Sequence, residues 1–189
     1  MPTHVALVRG INVGGRKLAM ADFRRILGEL GHTDVATYIQ SGNAVLTSTE
    51  PDSTVVADGI AAALDRELGL AVPVVVLDRD EYARAVADNP YPAVEETPKL
   101  LHAVFRAAPI AQAEIDAVAQ VVEAAREKTG VPDDATAVGR VLYLHLPEGL
   151  GRSELATRLL RPPFTKAPDG GGTARNWATV TTMQSMVEG

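Results

Sequence analysis

Val35-Ala36-Thr37-Tyr38-Ile39-Gln40-Ser41-Gly42-Asn43-Ala44-Val45-Leu46-Thr47 reads as two extended runs, residues 35–40 and 43–47, meeting at Ser41-Gly42. Glycine and asparagine accept the left-handed backbone of a tight turn, so the runs are expected to pair antiparallel as a hairpin. Before the hairpin, His4 to Arg9 is a short apolar run stopped by Gly10, which predicts a strand. Met20, Phe23, Ile26, Leu27 and Leu30 then recur at helical spacing until Gly31 supplies a stop. Beyond the hairpin, Asp52 and Ser53 offer caps to a helix whose Val56, Ile60, Ala63, Leu64 and Leu68 share one stripe, ended by Gly69. Val72 to Leu77 is apolar on both alternating faces, the pattern of a strand covered on both sides. The order is βαββαβ.

That order is the ferredoxin-like pattern, a four-stranded antiparallel sheet with two helices on one face. Val75 and Leu77 face away from Val74 and Val76, so the second half of the chain is expected to pack over the sheet's other side. Residues 80–88 read as a short helix broken by Asn89-Pro90-Tyr91-Pro92, and an acidic, proline-containing stretch runs on to Pro98. A strand over 100–106, a long helix over 111–128 and a hairpin-like pair over 135–139 and 141–146 follow. Ser153 caps a helix over 154–160, Pro162-Pro163 ends it, and a glycine-rich stretch leads to a last helix on Trp177, Val180, Met183 and Val187. The expected class is α+β, an α/β sandwich of tandem ferredoxin-like subdomains: βαββαβ, then a degenerate βαββα(α) half. The expected bounds are 1–78 for the first subdomain, 79–98 for a helix and linker, and 99–189 for the second.

Composition limits the functions open to such a chain. Its 189 residues are 46% hydrophobic and 22% charged, a soluble globular balance, and no apolar run approaches the roughly 18 residues of a spanning helix. Arg9 interrupts what would be the core of a secretion signal, so the chain is read as cytoplasmic, with no membrane partner. The absence of cysteine removes thiol nucleophiles, disulfides and thiolate metal sites. His4, His32, His102 and His145 have no metal-ligand spacing, so no metal and no cofactor are expected. Acidic pairs at Glu95-Glu96 and Asp133-Asp134 fall in expected loops, where solvation is their ordinary role. Charge is uneven along the chain. Residues 1–49 carry five basic and three acidic groups, 50–151 eight against eighteen, and 152–189 five against three. A net charge of −6 argues against nucleic acid, whose phosphates demand clustered Lys and Arg. A small anion held by the two basic ends fits better.

Three constellations could carry chemistry. Arg9, Asn12, Gly14, Gly15, Arg16 and Lys17 lie between the first strand and first helix, where glycines aim backbone N–H groups into a concavity and the cations supply charge for a phosphate or carboxylate. The spacing is neither a P-loop nor a dinucleotide fingerprint, and a flexible connector is the structural alternative. Tyr38, Gln40, Ser41 and Asn43 form the second. Alternation puts Tyr38 and Gln40 on the face opposite Val35, Thr37 and Ile39, while Ser41 lacks the elbow and histidine of a nucleophile. The third is Gly170-Gly171-Gly172-Thr173-Ala174-Arg175-Asn176-Trp177: an uncrowded helix start capped by Thr173, with Arg175 as an exposed charge, the Asn176 amide and an aromatic wall in Trp177. Its alternative is a glycine loop ahead of a core tryptophan.

Residues 7–15, Thr37 to Asn43, Gly149-Leu150-Gly151-Arg152-Ser153 and Thr173 to Thr179 together resemble the bacterial domain of unknown function 1697 family, nearly end to end. Ala174 stands where a branched residue such as Val is expected. The resemblance implies two ferredoxin-like α/β subdomains and carries over no catalytic residues. The leading expectation is that the three constellations converge between the halves on a small anionic ligand, a phosphate ester or nucleotide. Three others stand beside it: a structural or protein-interaction module, an acylphosphatase-like phosphohydrolase, and binding of an RNA end. Against the last, the central strands carry no aromatic platform. Whether the chain is an enzyme, and its oligomeric state, are left unassigned.

Overall fold

The computed structural model describes residues 3–12, 14–92, 97–166 and 171–189. The chain forms two units, Met1–Val86 with Thr182–Gly189, and Ala87–Thr181. Among the described residues it has a mixed α+β fold with two four-stranded antiparallel sheets and six α-helices.

In the first unit, β1 (Thr3–Val8), α1 (Met20–Glu29), β2 (Thr33–Tyr38), β3 (Asn43–Thr47), α2 (Ser53–Leu68) and β4 (Val74–Asp78) build a sheet of order β2-β3-β1-β4, and α3 (Arg79–Ala87) follows. The Asp52 side chain accepts the Thr54 amide at 2.8 Å to start α2, and Gly69 ends it in the left-handed conformation at φ +63°. Ala6, Val8, Phe23, Ile26, Leu27, Leu46, Ile60, Leu64 and Val76 form one cluster between sheet and helices. The opposite face of the sheet is buried as well, at Val5, Leu7, Val45, Val75 and Leu77.

The hairpin differs from its expected form. Strand β2 ends at Tyr38, so the turn holds four residues, Ile39 to Gly42, rather than two. The fully buried Asn43 sets that end: its amide donates to the Tyr38 carbonyl at 3.1 Å and to Ser41 Oγ at 3.0 Å, closing the turn on the Tyr38–Asn43 pair. Gln40 therefore shares no strand face with Tyr38. At the other end of β2 a bulge falls between Thr33 and Ala36, with Asp34 at φ +49°. Such an irregularity also suits the sheet's outer edge.

In the second unit, β5 (Leu101–Phe105), α4 (Gln112–Thr129), β6 (Asp134–Val138), β7 (Val141–His145), α5 (Glu154–Leu159), β8 (Thr173–Asn176) and α6 (Trp177–Glu188), which runs on into the first unit, give a sheet of order β6-β7-β5-β8. Ser153 caps α5 by accepting the Ala156 amide at 2.9 Å. The second half is thus less degenerate than its sequence suggests. Residues 173–176 form a fourth strand on β5, with Phe105 opposite Thr173 and Ala103 opposite Arg175. Gly172 permits it: at φ +80° it passes so close to the Phe105 carbonyl and the Arg106 side chain that no Cβ fits.

Candidate functional site

The first two constellations meet at one end of the first sheet. Asn12 sits in the left-handed region at φ +56°, which asparagine tolerates better than most side chains. Its Oδ1 accepts the Leu18 amide at 3.0 Å, and its Nδ2 donates to the Leu18 carbonyl at 3.1 Å and to the Gln40 carbonyl. Its own N–H donates to the Arg16 carbonyl. One side chain therefore closes the β1–α1 crossover on itself and stitches it to the β2–β3 turn. The Val8 amide adds a second stitch, donating to the Gly42 carbonyl at 2.8 Å. A Cβ on Gly42 would lie 2.7 Å from Ile11 Cδ1 and 2.8 Å from Val8 Cβ, so glycine is needed there for space as well as for its φ of +70°.

Between the crossover and the turn lies a depression of about 390 Å³, lined by Asn12, Gly15, Arg16, Lys17, Leu18, Ala19 and Gln40. Arg16 and Lys17 are exposed, and Arg16 Nη1 lies 3.6 Å from where a Cβ on Gly10 would stand. No ion pair holds Arg9, Arg16 or Lys17 among the described residues. Gly14 and Gly15, at φ +58° and +90°, have open space around them, so conformation alone asks for glycine. Helix α1 starts beside the depression at Ala19 with no side-chain cap, leaving its first-turn N–H groups and dipole to a solvent-borne partner. Asp22 in that first turn offsets part of the positive field.

Of the second constellation, only Gln40 lines the depression. Tyr38 is half-buried and gives its carbonyl to Asn43, while Ser41 Oγ accepts from Asn43, so both belong to the turn's internal scaffold. Ile39 was not singled out by sequence reasoning. It is a β-branched residue at φ +48°, half exposed, directly before Gln40.

The third constellation belongs to the second unit and is not a capped helix start. Within β8, Thr173 and Arg175 point to a buried face, and Arg175 is 8% exposed, so the expectation of an exposed charge is corrected. Arg175 Nη1 donates to Thr173 Oγ1 at 2.6 Å and to the Ala174 carbonyl at 2.8 Å. It is Asn176, not Thr173, that caps α6, its Oδ1 accepting the Thr179 amide at 2.9 Å. Trp177 is buried, its ring centroid 6.3 Å from that of Tyr143. Val13, Glu95, Glu96 and Gly170 lie outside the described residues.

Elsewhere, burial draws His102 below the usual histidine range, and burial followed by proximity to His4 does the same to His32. Among the described residues no three His, Asp or Glu side chains form a metal-holding group, and no helix is long and apolar enough to cross a membrane. Asp133, buried, accepts from Ser153 Oγ at 2.6 Å and so braces the start of α5 rather than being solvated.

Residues 1–143 match the model of a family described as "Protein of unknown function (DUF1697)". Among solved structures, the chain is similar to one described as conserved bacterial protein SP0830 from Streptococcus pneumoniae. The two are 23% identical with a TM-score of 0.73, over 98% of each chain. No curated protein matches the chain.

Proposed function

The chain belongs to the DUF1697 family, and on that premise we propose that the β1–α1 crossover of its first unit binds a small anionic ligand, a phosphate ester or nucleotide. Arg16 and Lys17 supply the charge, the Gln40 amide orients the ligand, and the uncapped start of α1 complements it. Arg9 adds longer-range field.

A comparison of the chain with itself carries this reading. Both units have the strand order of a ferredoxin-like βαββαβ fold. The first unit connects β1 to α1 through residues 9–19 and turns its hairpin through residues 39–42. The second makes the same connections with residues 106–111 and 139–140. A sheet of this order therefore closes without the added length. Every residue lining the depression falls within these two longer connections, which points to a task beyond folding.

The ligand contacts assigned here exclude Asn12, Ser41, Asn43, Thr173, Arg175, Asn176 and Trp177. Asn12 has both amide hydrogens and its oxygen engaged within the loop. No asparagine is left there to position a water, so the function proposed is binding without hydrolysis. The test is a thermal-shift screen of the full chain against phosphates, nucleotides, sugar phosphates and carboxylates at low and moderate salt. A ligand at 100 times its dissociation constant should add about 2.7 kcal/mol, and Arg16→Ala with Lys17→Ala should remove the shift. Silence across the panel would favour an interaction module.

A further inference from the structure

We infer that the ligand of this site is an amphiphilic anion, with an apolar or aromatic group that lies on Ile39 while its phosphate or carboxylate meets Arg16 and Lys17; this rests on the anion-binding reading above. Ile39 is held at φ +48° with half of its surface exposed. A β-branched side chain is a poor occupant of that backbone region, and glycine or asparagine would fill it at lower cost. The turn cannot relax around it. The carbonyls of Tyr38, Gln40 and Gly42 are held by Asn43, Asn12 and the Val8 amide. An over-determined outlier of this kind is characteristic of functional positions. Ile39 lies one Cα step, about 3.8 Å, from Gln40, which lines the depression.

Magnitudes favour the same conclusion. Exposed cations each contribute little to an ion contact, so Arg16 and Lys17 alone hold a simple anion weakly, with a dissociation constant on the order of tens of millimolar. An apolar group covering roughly 50 Å² of Ile39 improves affinity on the order of tenfold.

Isothermal titration of the full chain with inorganic phosphate and with phenyl phosphate tests this. Phenyl phosphate should bind about tenfold more tightly. Ile39→Asn should bring phenyl phosphate down to the affinity of inorganic phosphate, leave the latter unchanged, and raise the melting temperature, because asparagine accepts the left-handed conformation. Ile39→Gly provides a second variant with the same expected loss. Equal affinities for the two probes in the unaltered protein, or a phenyl advantage that survives both substitutions, would overturn the inference while leaving the anion site standing. No binding of either probe would remove the parent reading as well.

Discussion

The side-chain amide of Asn12 donates to the main-chain carbonyl of Gln40, tying the crossover after β1 to the turn between β2 and β3. With the two bonds between Asn12 and Leu18, this one residue sets the shape of the candidate site while contributing no free polar group to it. Asn12→Ala removes all three side-chain bonds and places alanine at φ +56°. Each lost bond costs about 1 kcal/mol, so denaturant unfolding should report a loss of about 2 to 3 kcal/mol. Hydrogen exchange at the Leu18 amide should accelerate. Asn12→Gly, which relieves the backbone, should cost less than Asn12→Ala.

Gly42→Ala should be among the most damaging small substitutions in the first unit. Its Cβ would fall inside contact with Ile11 and Val8, and its backbone sits at φ +70°. Neither neighbour can withdraw, because both are buried in the same core cluster. Overpacking together with a left-handed alanine predicts a loss of about 2 to 4 kcal/mol, read as a lower urea midpoint.

Arg175 and Arg16 should separate stability from binding. Arg175→Ala takes a buried guanidinium from Thr173 Oγ1 and the Ala174 carbonyl, with an expected cost of about 2 kcal/mol or more. Arg16→Ala alters an exposed side chain without an ion pair and should stay within about 0.5 kcal/mol. Melting curves of the two variants check the contrast. A mild Arg175→Ala variant would contradict the buried placement.

Acid should destabilise the protein through histidine. His102 and His32 have folded pKa values lowered by burial, so the unfolded chain binds their protons more readily. Their contribution is fully present above the ordinary value of about 6.5 and is lost as pH falls below it toward the folded values. Stability against urea should decline over that acid range, and His102→Leu should flatten the slope. An unchanged slope would show that His102 does not take up a proton on unfolding.

Much of this architecture was legible in the chain. Met20, Phe23, Ile26 and Leu27 mark α1 by their spacing, and Asp52 with Gly69 marks both ends of α2, because burial and capping act on neighbours in sequence. Strand β8 was not legible. Thr173-Ala174-Arg175-Asn176 has no apolar alternation, and its pairing depends on Gly172 meeting Phe105, far away along the chain. The burial of Arg175 follows from that strand and was hidden with it. The loop near Arg16 and Lys17 could be found from its glycines and cations. The role of Asn12 could not, since it depends on reaching Leu18 and Gln40 at once. Ile39 gave no signal either, because an isoleucine in an apparent strand conceals a left-handed turn.

The central claim, an anion held by the β1–α1 crossover, is tested most directly by titrating inorganic phosphate into the ¹⁵N-labelled full chain and following its amide resonances. Shifts should concentrate at Gly14, Gly15, Lys17, Ala19 and the Gln40 side chain, and should vanish in the Arg16→Ala, Lys17→Ala double variant. Shifts that leave these residues untouched, or that persist unchanged in the double variant, would contradict it.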